Sequence, residues 1–269
     1  MENSWHIFDN WNYKDTNIIP HCDWSIFDEL SSSLSIVFTN KMNTLNNLKT
    51  KWDKKLKQYG GNTSNYNWNK FRPLRLSREE DWSDWLIYLI SESKTGYFSY
   101  DLFHLYKFDV DDFSYPLISD REISFSGHRA DIVIQWRNKK YTHVEVKIGD
   151  ENLSKTYSTA KKMRSFYKVP ENKWYDFILL LEYQVNDWLS VVHEKGHPIQ
   201  YITWNNVAIS LRRSLIYSEE SITWKVWAYS FLGAIEHKLL NVKNQYKVSD
   251  ILHIDNTINI LKEGLNNGK

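Results

Sequence analysis

Two acids and a lysine stand on two neighbouring predicted strands in the middle of this 269-residue chain. Asp131 opens the apolar run Asp-Ile-Val-Ile-Gln-Trp, and Glu145 and Lys147 alternate with apolar residues in Tyr-Thr-His-Val-Glu-Val-Lys-Ile. Residues two apart on a strand leave the same face, so Glu145 and Lys147 share one side of the sheet. Carboxylates suit a divalent cation such as Mg²⁺, because hard cations prefer oxygen ligands and keep several of their waters. The three side chains therefore predict a metal-ion site with an activated water, which is the chemistry that hydrolyses phosphodiesters.

The hairpin register decides whether Asp131 can join this face. A loop with an odd number of residues pairs Asp131 with Glu145 on one face, and a three-residue loop within residues 137–140 satisfies the condition. Asn138 tolerates the left-handed backbone that such loops use. A two-residue turn at Asn138 and Lys139 would instead put Asp131 on the wrong side. We therefore predict an odd-length loop, or a bulge that restores the register.

Each side chain of the trio has a predicted role. Asp131 and Glu145 are the expected metal ligands, and the carbonyl of Val146 can supply a third oxygen. Lys147 is placed to orient or deprotonate the attacking water and to offset charge on the phosphorane. The alternative interpretation is a surface ion pair between Glu145 and Lys147, because Glu-x-Lys is common in charged proteins.

The elements around the trio predict the α/β class with a mixed sheet. Apolar residues at helical spacing predict one or two helices over residues 25–59, followed by a polar linker over residues 60–72. Ser77 and Glu80 fit a capping box at the start of the next helix. The remaining predicted elements are strands at 122–126, 131–136 and 141–148, a helix at 152–167, strands at 176–183 and 199–204, and helices at 205–217, 219–241 and 249–263.

Length, charge and composition bound the protein class. We expect a helical appendage and linker over residues 1–72, a core over 73–245, and a C-terminal helix and tail over 246–269. A net charge of +1 excludes attraction of nucleic acid by the whole protein, so any such binding must use local patches. Each patch is more often a solvated helix face. The candidates are Lys49 to Lys57, Lys139 and Lys140, Lys161 to Arg164, and Arg212 and Arg213.

Location and cofactors follow from what the sequence lacks. The single cysteine, the absence of a signal-peptide pattern and the absence of a long apolar run predict a cytoplasmic protein that does not enter the membrane. No ligand spacing typical of zinc appears beside His128 and His143, and no glycine-rich phosphate loop is present, so neither zinc nor ATP is expected.

The pattern Asp131 followed by Glu145-Val146-Lys147 resembles the PD-(D/E)XK nuclease superfamily. The resemblance covers residues 77–240 and is strongest over 127–165, although Ala130 stands where that motif has proline. It implies a restriction-endonuclease-like α-β-β-β-α-β core, with a central mixed sheet flanked by helices, and metal-dependent cleavage of DNA, less often of RNA. It also implies Mg²⁺, for which Mn²⁺ can substitute, and a prokaryotic restriction or anti-phage defence role with partner proteins of a defence operon. Cutting both strands of duplex DNA requires two active sites, which favours a homodimer.

The same resemblance implies a further acid on the helix before the sheet. Glu79 is the preferred residue, because it lies three and seven residues before Trp82 and Leu86, at the edge of the buried face. Glu80 points nearly opposite and is explained by the capping box. Both acids could instead merely favour the positive end of the helix dipole.

Residues that could hold the nucleic acid flank the trio. Lys155, Thr159 and Lys162 recur at helical spacing and predict a basic stripe for phosphates, or a solvated face. Arg129 is placed either to hold a phosphate or to pair with an acid. Two other functions stay open at this point: cleavage of RNA or of single strands, and a non-catalytic nucleic-acid-binding subunit that retains the fold.

Overall fold

A five-stranded sheet forms the centre of the part of the chain that the structure describes. The computed structural model describes residues 24–68, 76–103, 116–125, 128–136, 139–149, 155–195 and 199–266. The strands are β1 (Pro116–Phe125), β2 (His128–Trp136), β3 (Tyr141–Val146), β4 (Trp174–Leu180) and β5 (Gln200–Thr203). The helices are α1 (Trp24–Lys55), α2 (Glu79–Ser91), α3 (Tyr97–Leu102), α4 (Lys155–Tyr167), α5 (Val185–Lys195), α6 (Trp204–Tyr217), α7 (Ile222–Lys238) and α8 (Ile251–Leu265).

The sheet is mixed, and its strands lie in chain order. β1, β2 and β3 form an antiparallel meander, whereas β3, β4 and β5 run parallel to one another. Parallel strands need crossover connections, which α4 and α5 provide. The prediction of an α/β protein with a mixed sheet flanked by helices is therefore confirmed.

The two faces of the sheet pack against different layers. Ile132, Val144 and Phe177 belong to the main core, which also includes residues of α1, α2, α6, α7 and α8. The residues that alternate with these along each strand point to the opposite face of the sheet. On that face Val133 packs near Met163 of α4, and Ile178 packs near Ala160. By the same alternation, Asp131, His143 and Glu145 also lie on this opposite face. The predicted site therefore lies on the face that α4 covers.

Helix α1 is a single helix of 32 residues. Its C-terminal half contributes Leu45, Leu48 and Trp52 to the main core. The ring of Trp68 lies where a side chain at Gly233 of α7 would otherwise stand. The structure thus packs residues on both sides of the predicted boundary at 72 and 73 into one core, because α1 presents its apolar stripe to α8. Residues 1–23, predicted as an irregular arm, lie outside the described residues.

The start of α2 differs from the predicted capping box. The carboxylate of Asp81 accepts hydrogen bonds from the backbone N–H groups of Ser77 (2.9 Å) and Arg78 (3.0 Å). Asp81, one residue after Glu80, therefore caps the helix. The prediction that paired Ser77 with Glu80 is wrong, because the helix begins at Glu79 and its third residue is the aspartate.

Several element boundaries also differ from prediction. The strand predicted at 176–183 ends at Leu180, and the strand predicted at 141–148 ends at Val146. Helix α5 was not predicted, since its short apolar pattern follows the strand without a clear break. Asn62 and Thr63 are buried, so that part of the predicted linker belongs to the core.

One of the predicted basic patches, that of Arg212 and Arg213, is not a surface patch, and one lysine of a second patch is buried. Arg212 is fully buried, and its guanidinium donates to Glu236 at 2.6 and 2.8 Å. Arg213 donates to Asp101 at 2.9 Å. Lys49 is also buried, and burial lowers the pKa of its ammonium to about 8 although Asp53 opposes that shift. None of the helices in the described ranges has the length and apolar character that crossing a bilayer requires.

Candidate functional site

The register of β2 against β3 places Asp131 opposite Glu145. Ile132 pairs with Val144, and Gln135 pairs with Tyr141, so the same register continued by one residue joins positions 131 and 145. The Trp136 N–H donates to the Lys140 carbonyl at 2.9 Å and closes a three-residue loop. The predicted odd-length loop is confirmed. Lys139 has the left-handed backbone, with φ of 59°, whereas Asn138 lies outside the described residues.

The carboxylate of Asp131 reaches across to the second strand. Its Oδ2 accepts a hydrogen bond from the Val146 N–H at 2.8 Å. A side chain thus takes the donor that backbone pairing would use in a continued ladder, and this fixes the acid beside the Glu-Val-Lys segment. Burial raises the pKa of Asp131, and the Val146 N–H and the Lys147 ammonium only partly oppose that rise.

The Lys147 ammonium lies near two carboxylates, those of Glu145 and Glu79. The Lys147 ammonium lies 3.3 Å from Glu145 Oε1 and 3.6 Å from Glu79 Oε2. The other oxygen of Glu79 accepts a hydrogen bond from the Ile148 N–H at 3.0 Å, which fastens the start of α2 to the end of β3. Glu79, the preferred of the two candidate acids on this helix, is therefore the acid that contacts the lysine.

Burial and neighbouring charges shift the pKa values of Glu145 and Lys147. Burial and the nearby Asp131 carboxylate raise the pKa of Glu145, against the attraction of Lys147. Burial alone would lower the pKa of Lys147, but the neighbouring carboxylates, led by Glu145 and Glu79, outweigh it and raise that pKa. Lys147 is therefore an ammonium at neutral pH, able to donate hydrogen bonds but not to accept a proton.

One oxygen of Glu145 has no hydrogen-bond partner among the described residues. Glu145 is 8% exposed, and its buried Oε2 lies 3.9 Å from His143 Nε2, a second buried atom without a hydrogen-bond partner in the described part. A buried acceptor left unsatisfied costs about 1–3 kcal/mol. Such an oxygen is available to a cation.

The donors around this oxygen suit a hard divalent cation. Asp131 and Glu145 offer carboxylates, and the Val146 carbonyl faces Asp131, because the N–H and C=O of one strand residue point to the same side. Within the described residues, no group of three or more His, Cys, Asp or Glu side chains is placed to hold a metal ion. A cation here would take two carboxylates and complete its shell with water, as Mg²⁺ commonly does.

A buried histidine and aspartate behind Glu145 were not predicted as a functional pair. The two residues are neighbours in the parallel register of β3 and β4, and His143 Nδ1 lies 3.0 Å from Asp176 Oδ1. The same oxygen accepts a hydrogen bond from Trp174 Nε1 at 2.7 Å. Burial would lower the pKa of His143, but Asp176 and the other nearby carboxylates outweigh it and raise that pKa. The alternation of β3 places His143 beside Glu145, but nothing in the sequence gives the register of β4.

The predicted phosphate-binding residues are only partly at the surface. Lys155 is exposed and Lys162 is half-buried, but Thr159 is 5% exposed. Thr159 lies on the buried side of α4 with Thr156 and Ala160, so it is not part of an exposed basic stripe. Arg129 lies on β2 opposite Ser124, and its side chain is outside the described part.

One cavity in the described part is lined by residues other than those of this site. It has a volume of 710 Å³ and is lined by residues 64–67 and by residues of 237–245. None of the acids of β2 and β3 lines it, so it carries no argument about their chemistry. Comparisons with models of protein families, with curated proteins and with solved structures find no match to this chain.

Proposed function

We propose that this protein is a Mg²⁺-dependent nuclease that hydrolyses phosphodiester bonds, with DNA as substrate and Mn²⁺ able to replace Mg²⁺. One observation carries the proposal: Asp131 and Glu145 take opposed positions on one sheet face, and Lys147 lies 3.3 Å from Glu145. Two acids so placed repel each other unless a cation or a proton lies between them.

The order of elements supports a restriction-endonuclease-like core. Helix α2 precedes the antiparallel strands β1, β2 and β3, and α4 then leads to β4, which runs parallel to β3. Apart from the short helix α3 between α2 and β1, this order agrees with the α-β-β-β-α-β core that the resemblance to the PD-(D/E)XK superfamily implies. We assign the described residues from α2 onward to that fold, with α1 as an N-terminal helical addition.

Each residue of the site has its own proposed role. Asp131, Glu145 and the Val146 carbonyl would hold the cation, which would supply a Lewis acid for a phosphoryl oxygen and an acidic water. The Lys147 ammonium, held by Glu79 and Glu145, donates hydrogen bonds that orient the attacking water and stabilise negative charge on the phosphorane. Because Lys147 is already protonated, it acts as a donor and not as the base.

The unsatisfied oxygen of Glu145 favours an active enzyme over a non-catalytic subunit. A subunit without catalysis would be more stable with glutamine or a hydrophobic residue at this position, since each removes a buried charge. The cost of keeping Glu145 ionised is explained when a cation binds to it.

Nucleic acid would reach the site along α4. Lys155 begins this helix and Lys162 stands two turns further on, so both are placed to contact phosphates, with Arg129 on β2 as a third candidate. A role in restriction or anti-phage defence in the cytoplasm, with a homodimer or partner proteins of a defence operon, rests on the resemblance alone.

Cleavage assays test the proposal. Purified protein is incubated with plasmid DNA, single-stranded DNA and RNA, in Mg²⁺, in Mn²⁺ and in EDTA. We expect metal-dependent cleavage of duplex DNA that Lys147→Met abolishes. Glu79→Gln should slow cleavage, whereas the matched control Glu80→Gln should not. Failure of all three substrates in both metals, together with no metal binding that Asp131→Ala removes, would overturn the proposal.

A further inference from the structure

Glu145 lies between two side chains of its own strand. Lys147 follows it by two residues and contacts Oε1, while His143 precedes it by two residues and faces Oε2. Strand geometry places all three on one face. The lysine therefore contacts one carboxylate oxygen, and the imidazole lies 3.9 Å from the other.

Asp176 and Trp174 contact the imidazole of His143 and hold it in place. His143 is fully buried, its Nδ1 contacts Asp176 at 3.0 Å, and its ring lies nearly parallel to that of Trp174 at 6.3 Å. Asp176 is in turn fixed by the Trp174 Nε1–H. These contacts leave Nε2 aimed at Glu145, with no hydrogen-bond partner among the described residues.

We propose that His143, held by Asp176, is a positioning residue that fixes Glu145 for the cation, an inference that rests on the proposed metal-dependent function. Both ring nitrogens then donate, Nδ1–H to Asp176 and Nε2–H to one lone pair of Glu145 Oε2, while the other lone pair of that oxygen stays available to the cation. The gap of 3.9 Å is about 1 Å longer than a hydrogen bond, which a small rotation of the glutamate closes. Groups that orient a metal ligand in this way commonly change metal affinity by about 10–100-fold when they are lost.

A purely structural role predicts a different dependence on the two ring nitrogens. If His143 only stabilised the sheet, its bond to Asp176 and its packing on Trp174 would suffice, and Nε2 would have no task. Asparagine can replace the Nδ1 contact, whereas glutamine carries a donor to the position of Nε2. The two substitutions therefore separate the contact to Asp176 from the contact to Glu145.

The test measures Mn²⁺ binding by electron paramagnetic resonance, and Mg²⁺-dependent cleavage, in the full-length protein. We expect His143→Asn to raise the metal concentration for half-saturation by about 10–100-fold, with the maximal cleavage rate restored by excess metal. His143→Gln should stay within about 3-fold of the wild type. Asp176→Asn, which removes the negative charge that His143 Nδ1 contacts, should shift half-saturation in the same direction as His143→Asn. Ser210→Ala, which removes a remote buried hydrogen bond to Asp101, is the control for stability loss.

The outcomes separate this inference from the proposed function. Unchanged half-saturation in His143→Asn, or equal losses in the asparagine and glutamine variants that track their melting temperatures, would overturn the positioning role. If His143→Asn does not fold, the comparison of His143→Gln with Asp176→Asn decides, and equal metal affinity in both refutes the role. Wild-type protein with no metal binding that depends on Asp131 would overturn the proposed function itself.

Discussion

Replacement of Asp131 by asparagine separates the stability of the fold from its proposed function. The amide oxygen of asparagine can still accept the hydrogen bond from the Val146 N–H, so the contact between β2 and β3 is retained. The substitution removes the negative charge that faces Glu145. We expect the metal-free variant to be more stable than the wild type at pH 8, and to lose metal binding.

The magnitude follows from the register. Directly opposed residues have Cβ atoms about 5 Å apart, and two like charges at that separation repel by about 3 kcal/mol when the effective dielectric constant is about 20. The attraction of Lys147 and the stronger hydrogen bond to a charged acceptor offset much of this repulsion. A net gain of about 1 kcal/mol remains, which raises the melting temperature by about 2–4 °C in a protein of this size.

The gain depends on pH with a definite sign. Because the folded-state pKa of Asp131 is raised, the folded wild type binds more protons than the unfolded chain between the two pKa values. The stability that this carboxyl contributes is therefore greatest below the unfolded pKa and falls as pH rises through the raised pKa. The advantage of the asparagine variant should be absent at about pH 3.5, below the unfolded pKa of about 3.9, and complete at pH 8.

The assay is thermal unfolding of both proteins across this pH range, with and without Mg²⁺. A ligand at 100 times its dissociation constant stabilises the state that binds it by about 2.7 kcal/mol, so Mg²⁺ should make the wild type the more stable protein. Asp81→Ala is a control of opposite sign, because that carboxylate caps α2 and its loss should cost about 1 kcal/mol. A metal-free Asp131→Asn protein that melts below the wild type at pH 8 would refute the reasoning.

Three further results are expected. Insertion of one glycine into the three-residue loop between β2 and β3 should abolish metal binding by turning Asp131 to the other face, whereas insertion of two should restore it; calorimetric titration distinguishes them. Arg212→Met should cost about 3–5 kcal/mol in urea unfolding, since it leaves a buried carboxylate unpaired. Arg213→Met should cost less, because Asp101 keeps the hydrogen bond from Ser210 and Arg213 is less buried than Arg212. Lys155→Ala should reduce the slope of log affinity for DNA against log salt by about 1, while Lys262→Ala on α8 leaves that slope unchanged.

The relation of Asp131 to Glu145 could be predicted because it depends on local rules. Strand alternation places Glu145 and Lys147 on one face, and the parity of a short loop decides the face of Asp131. Both rules act within about twenty residues of chain and need no tertiary information. The preference for Glu79 over Glu80 had a similar basis, since helical periodicity sets which acid borders the buried face.

The pairing of His143 with Asp176 could not be predicted from the sequence. The two residues meet through the parallel register of β3 and β4, which α4 and its flanking loops set over more than thirty residues of chain. The burial of Arg212 had the same cause. Its partner Glu236 lies on the next helix, and only the packing of α6 against α7 decides that this arginine points inward. Runs of basic residues therefore predicted surface patches where the fold makes buried ion pairs.

The buried carboxylates of this protein differ in how completely their oxygens are satisfied. Glu236 accepts hydrogen bonds from two nitrogens of Arg212, Nε and Nη2. Glu220 accepts hydrogen bonds from the segment at residues 93–95. Asp101 accepts hydrogen bonds from donors on α6. Each of these acids is matched by donors that the fold itself supplies, so each is explained by stability. Glu145 is equally buried, but it keeps one oxygen without a hydrogen-bond donor in the described residues. Burial of an acid therefore does not identify the site, because all four acids share it. The unsatisfied oxygen of Glu145 distinguishes it from the other three, and a divalent cation is the group that we propose for that oxygen.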